Sequence, residues 1–331
     1  MAAELVGPML SSSMPFSETV FMFSGQGSQY FQMGRELFDN NVCFRGWMTR
    51  LDEVARQSLG MSVVEAVYSD GRSKSDPFLR TLLSHPAIFM VEYSVAQSLV
   101  QAGIRPDRVL GVSMGAFAAA AVAGFIDTED ALTAVIRQAT AFEECCEPGG
   151  MIAVLEDAAL FGEDFLSGRS ELVAVNGSSH FVVSARQADL AYIEVALRKR
   201  KMNYQPLPVS FPFHSSWISK AEAPFASFMR SIRCKQGRLP LVCCDQTAIL
   251  FDLSADYFWN VVRHPIRFRE TTARLEQQGA HRYIDVGPAG TLATFLKYGM
   301  PATTKSTVHA ILTPFGLDQN NLAALMATLR H

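Results

Sequence analysis

Short apolar runs that stop at glycine-rich loops alternate along this chain with stretches whose apolar residues recur at helical spacing. Residues 19–23 form a β-rich apolar run ending at Ser24-Gly25-Gln26-Gly27-Ser28-Gln29, which predicts a buried strand entering a loop. Residues 30–38 read as the helix that follows. Residues 84–102 predict a long helix with Pro86 in its first turn, where a missing N–H is tolerated. Residues 108–111 read as a second strand, Ser113 as the turn after it, and residues 116–125 as an Ala-rich helix able to pack closely on a sheet. Another helix is expected from about Thr128 to Cys145, with Asp127 as its cap and acidic residues in its first turn.

Between residues 147 and 212 the pattern changes. Strands are expected at 151–155, 172–176, 180–185 and 204–209, with helices at 158–166 and 188–200. The order βαββαβ is the split-βαβ, ferredoxin-like signature and predicts an inserted small subdomain. From residue 213 an α/β pattern returns: a strand at 239–244, a helix around 271–278, a strand at 282–286, then Gly287-Pro288-Ala289-Gly290 before another helix. The predicted fold is α/β. A hydrolase-like core of parallel sheet and helices spans 18–146 and 213–331, a ferredoxin-like subdomain spans 147–212, and residues 1–17 form a loose arm.

Composition narrows the function without naming it. Of 331 residues, 49% are hydrophobic and 18% charged, enough for a large buried core. A net charge of −3 gives no general electrostatic reason to bind nucleic acid. Arg198-Lys199-Arg200-Lys201 is the one dense basic run; it reads as the solvated end of a helix or as a docking patch for an acidic partner. The six cysteines (Cys43, Cys145, Cys146, Cys234, Cys243, Cys244) lack C-x-x-C spacing and include two vicinal pairs. That pattern suits a reducing cytoplasm and suggests neither a disulfide framework nor a metal site. No apolar stretch has the length of a membrane span, and a monomer is expected.

Gly111-Val112-Ser113-Met114-Gly115, between a strand and a helix, has the form of a nucleophile elbow. Its glycines permit a sharp turn that lifts the serine oxygen off the sheet, and the next helix aims amides at an oxyanion. Taken alone, the pentapeptide also fits an ordinary strand-to-helix turn. Among seven histidines, His214 in Phe213-His214-Ser215-Ser216 stands at the junction after the insert, where a side chain could face a cleft. A lone histidine fits a structural role equally well.

Together these features resemble the malonyl-CoA:acyl-carrier-protein acyltransferase family. The resemblance rests on Gly25-Gln26-Gly27-Ser28-Gln29 after a strand, the later G-x-S-x-G, the F-H-S segment after the insert, and Asp285-Val-Gly-Pro-Ala-Gly-Thr-Leu near the end. It implies Ser113 as nucleophile, His214 as base, and the amides of Gln26 and Met114 as oxyanion hole. It also implies a main-chain carbonyl orienting the histidine. The matching segment is Pro265-Ile266-Arg267-Phe268, and Arg267 is the expected carbonyl. Gln138, His85, Asn176 and Phe213 are expected to approach the substrate. No cofactor or metal is expected, because the acyl group arrives on the phosphopantetheine of an acyl carrier protein or as a CoA thioester.

The chain departs from the family pattern near this site. Val112 and Ala116 replace a His and a Glu of the usual elbow, and His85 replaces the Gln of Q-P-A-L. Position 138, where the family's carboxylate-binding arginine would fall, is Gln138, with Arg137 one residue early. One residue turns a helical side chain by about 100°, so the two should face different ways. An amide cannot make the bidentate, charge-assisted pair that recognises a carboxylate. The chain then resembles the acyl hydrolases that accompany trans-acyltransferase polyketide synthases. The leading expectation is a serine hydrolase of acyl-carrier-protein thioesters. A malonyl-CoA:acyl-carrier-protein transferase using Arg137 is the alternative, and a non-catalytic docking protein the third.

Overall fold

Alternation along the first strand accounts for a sheet covered on both faces. The computed structural model describes residues 17–328; residues 1–16, and with them most of the expected arm, lie outside the described residues. In β1 (Glu18–Phe23), Phe21 and Phe23 enter one apolar cluster while Val20 and Met22 enter another on the opposite side. The other strands are β2 (Arg108–Gly111), β3 (Gly149–Val154), β4 (Glu171–Gly177), β5 (His180–Arg186), β6 (Tyr204–Pro206), β7 (Leu241–Cys243), β8 (Ala248–Leu250), β9 (His281–Asp285) and β10 (Thr307–Ala310). The main sheet runs β10-β9-β1-β2-β7-β8. Its pairs are parallel except β7 with β8, so the elbow after β2 stands at the carboxyl edge of a central strand.

The residues between 147 and 212 form a second, antiparallel sheet in the order β4-β5-β3-β6, with the expected βαββαβ succession of elements. One face carries the Gln187–Lys199 helix over Ile152, Phe181 and Val183. The other face presents Met151, Ala153, Val173 and Val182 to the main core. This sheet therefore roofs the carboxyl edge of the parallel one. The basic run 198–201 is exposed at the end of that helix, where positive charge complements the helix dipole.

Several expected elements differ in ways that have local causes. The helix after the first loop starts only at Arg35, because Gln32 and Gly34 take φ of 66° and 69°. The long helix is Thr81–Gln101, so Pro86 lies inside it rather than in the first turn. Burial of most of that helix outweighs the backbone bond that proline cannot make. Asp127 makes no side-chain cap; its carboxylate pairs with Lys235 at 2.6 Å. Residues 158–166 form a 3-10 turn, Ala158–Gly162, and a short helix, Asp164–Ser167. A further helix, Val42–Leu59, buries Phe44, Met48, Leu51 and Ala55 at helical spacing. Among the described residues no helix is long and apolar enough to cross a membrane.

Candidate active site

The elbow is built by close approach. At Gly111 a Cβ would overlap the backbone of Ala116, and at Gly115 it would overlap the carbonyls of Phe23 and Ser24. The Gly115–Ala123 helix can sit against β1 and β2 only with glycine at both places. Between them Ser113 takes a left-handed φ of 54°, and Val112 N–H donates to the Phe23 carbonyl at 2.9 Å. The serine oxygen is thereby raised above the strand end.

His214 reaches the same point from the other side of the sequence. It too is left-handed, with φ of 60°, and its N–H donates to the Val262 carbonyl at 3.0 Å. Ser113 Oγ lies 2.8 Å from His214 Nε2, and His214 Nδ1 lies 2.6 Å from the His264 carbonyl oxygen. A carbonyl only accepts, so Nδ1 carries the proton and Nε2 is free to accept one from Ser113. Burial lowers the His214 pKa to about 4, opposed by the His264 carbonyl and aided by the charge of Arg263. The imidazole is therefore neutral at neutral pH.

The carbonyl expected from Arg267 is corrected to that of His264. The Arg267 carbonyl is already occupied by Thr271, which donates from N–H at 2.9 Å and from Oγ1 at 2.7 Å. Arg267 is the N-cap residue of the Phe268–Glu276 helix, and its carbonyl accepts the first bonds of that helix.

Because only the neutral histidine can accept the serine proton, a pH dependence follows. The folded-state pKa is depressed, so base function persists as pH falls through 6.5 and is lost near 4. With a neutral acyl thioester, kcat/KM is expected to stay level from about pH 8 to about pH 5. An acid limb near the ordinary histidine pKa would contradict this account.

The N–H groups of Gln26 and Met114 have no hydrogen-bond acceptor among the described residues. Met114 immediately precedes the Gly115–Ala123 helix, whose dipole adds to its amide. The Gln26 side chain is held from behind: His85 Nε2–H donates to its Oε1 at 2.9 Å, and its Nε2 donates to Ser84 Oγ at 3.1 Å. Burial lowers the His85 pKa to about 3, so that ring is neutral. Below the loop, Ser24 donates its N–H and Oγ–H to Glu92 Oε1 at 2.6 and 2.8 Å. Burial and nearby Asp285 push this carboxyl well above the usual carboxylate range. The sequence sign of Glu92 is a single carboxylate in a long apolar helix.

Ser113 and His214 open on a cavity of about 150 Å³. Its walls include Met151, Val173, Val182, Phe213, Ile266, Phe268, Leu292 and Phe295, with Gln26 and Asn176 among the few polar residues. Among the described residues no Lys or Arg lines it. Asn176 Nδ2 donates to His180 Nδ1 at 3.1 Å, and Phe213 packs on Phe142 with ring centroids 5.1 Å apart. Gln138 and His85, expected against the substrate, are instead buried behind the walls and do not line the cavity. Gln138 Nε2 donates to the Phe258 carbonyl at 3.2 Å, whereas Arg137 is exposed with its guanidinium 5.7 Å from the Phe228 ring. A hydroxyl activated by a neutral imidazole, beside two unpaired amides and under an apolar roof, can carry out acyl transfer through a covalent ester.

Comparison with known proteins agrees with this chemistry. Residues 20–330 match the family model described as acyl transferase domain. Over 304 residues the chain is 46% identical to the polyketide biosynthesis acyltransferase homolog BaeD of Bacillus velezensis, covering 92% of this chain and 94% of that one. The corresponding PksD of Bacillus subtilis is 44% identical over 304 residues with the same coverage, 92% and 94%. Among solved structures, the loading acyltransferase from the avermectin modular polyketide synthase superposes with a TM-score of 0.85 at 25% identity, covering 95% of this chain and 100% of that one. The chain is an enzyme belonging to the acyl transferase domain family.

Proposed function

We propose that this enzyme hydrolyses neutral acyl groups from acyl-carrier-protein thioesters in polyketide biosynthesis. The observation that carries the reading is the missing carboxylate clamp. Among the described residues no Lys or Arg lines the cavity beside Ser113, Gln138 is tied to the Phe258 carbonyl, and Arg137 faces solvent. A malonyl carboxylate would lose its hydration there without gaining an ion pair, whereas an acetyl or longer apolar chain meets Met151, Val173, Val182 and Phe213. The polyketide context and the carrier-protein partner are inferred from the relatives' names together with this site.

In the proposed mechanism Ser113 Oγ attacks the thioester carbonyl carbon as His214 Nε2 takes its proton. The amides of Gln26 and Met114 stabilise the tetrahedral oxyanion. Collapse breaks the C–S bond, and His214 returns the proton to the departing phosphopantetheine sulfur, leaving an ester on Ser113. Water then attacks that ester, again deprotonated by His214, and the free acid and serine are released. No bound cofactor takes part; the pantetheine arm belongs to the substrate.

The test is to incubate the enzyme with acetyl- and malonyl-loaded carrier protein and follow free thiol by intact mass. Release of acetyl faster than malonyl is expected. Rapid malonyl transfer from CoA to the carrier protein, with acetyl left intact, would overturn hydrolysis in favour of transfer.

A further inference from the structure

The residue whose carbonyl holds His214 is itself held by its side chain. His264 Nδ1–H donates to Asp245 Oδ1 at 3.0 Å; Asp245 is half-buried just beyond β7 with its side chain 13% exposed, and the His264 side chain is 46% exposed. The surrounding backbone is fixed at three more points. His264 N–H donates to the Asn260 carbonyl at 2.9 Å, Ile266 N–H to Val173 in the small sheet at 2.7 Å, and Arg267 N–H to Cys244 at 3.0 Å. Those bonds restrain the peptides before and after residue 264. Pro265 offers no N–H, so the peptide carrying the His264 carbonyl has no donor of its own to fix its plane. The proline ring and the flanking bonds confine that plane to a narrow range, and the position of the His264 side chain sets it within that range.

We propose that Asp245 and His264 form a positioning pair for the histidine base, fixing the His264 carbonyl where it meets His214 Nδ1–H. Neither residue lines the cavity, so neither is a catalytic residue. The chain of contacts runs from Asp245 Oδ1 to the His264 ring, through the His264 carbonyl to His214, and so to Ser113. If the carbonyl swings away, the imidazole loses the partner that selects its tautomer, and Nε2 is no longer held 2.8 Å from the serine oxygen. The inference rests on reading Ser113 as the nucleophile. It does not depend on whether water or a thiol accepts the acyl group.

The experiment measures the acylation burst with p-nitrophenyl acetate, which reports the first half-reaction alone. Asp245→Ala should slow acylation by about 10- to 100-fold with KM little changed, the expected cost of a base held loosely. Asp245→Asn keeps an acceptor oxygen and should recover most of the rate. His264→Ala keeps the carbonyl but not the ring; it should match Asp245→Ala, and the double variant should lose no more than either. In ¹⁵N-histidine-labelled protein, the downfield Nδ1–H resonance of His214 should persist in Asp245→Asn and shift in Asp245→Ala. A folded Asp245→Ala with wild-type acylation and an unmoved resonance would overturn the proposal. Where that variant does not fold, His264→Ala at the wild-type rate overturns it equally. Wild-type turnover of p-nitrophenyl acetate that Ser113→Ala leaves unchanged strikes the nucleophile reading instead, and the resonance then decides the pair.

Discussion

Replacing Ser113 with Ala is expected to remove the acyl-enzyme and lower thioester turnover by about 10⁴-fold or more, the scale on which serine nucleophiles act. His214→Ala should fall to a similar floor, because the two groups work as one unit and their losses do not add. The fold should survive both changes. Ser113 already carries a Cβ at its φ of 54°, and Ala asks for no more room. Intact-mass detection of an acetyl adduct after a brief exposure to acetyl thioester is the direct measurement. An adduct on Ser113→Ala would place the nucleophile elsewhere. Retained turnover in both variants would leave the chain with no catalytic role for the pair.

Gln138→Arg is expected to move selectivity toward malonyl. A charge-assisted pair with the substrate carboxylate in a partly desolvated site is worth about 2–5 kcal/mol, or roughly 30-fold to several thousand-fold in the malonyl-to-acetyl ratio. Position 138 is fully buried and its present amide uses the Phe258 carbonyl. Without a bound anion the new guanidinium is an uncompensated buried charge, so the variant should be less stable and should regain stability with malonyl thioester. The measurement is kcat/KM for both acyl groups beside melting temperatures with and without ligand. An unchanged ratio in a folded variant would show that position 138 does not set the acyl preference.

Much of this site was legible in the chain because steric requirements leave marks in sequence. The elbow needs glycine at 111 and 115, the first loop follows an apolar strand, and the helix Thr128–Cys145 declares itself by periodicity. The placement of Arg137 outside and Gln138 inside follows from helical geometry alone. What stayed hidden was chiefly backbone. A carbonyl has no residue type, so nothing in Pro265-Ile266-Arg267-Phe268 revealed that the oxygen on His214 comes from His264. The expected place of His85 against substrate failed for a related reason. Its partner is the side chain of Gln26, and only the fold decides that one lies behind the other. The cavity walls come from the small sheet, from the loops that follow β1 and β2, and from segments within 207–214, 266–268 and 291–295, a convergence that no local pattern encodes.

The insert also has a bearing on how this architecture can be edited. Ser184 in β5 donates its hydroxyl to the Phe213 carbonyl, and Val173 in β4 accepts from Ile266 N–H at 2.7 Å. Ala174 and Ile266 form a parallel bridge beside it. The small sheet thus grips the chain on both sides of the base, directly before His214 and just after His264, while the core supplies the Val262 carbonyl between them. Excising residues 147–212, or grafting a foreign roof onto the parallel sheet, would do more than reshape the acyl pocket. It would release the imidazole itself, so the two lobes are exchangeable only as a matched set.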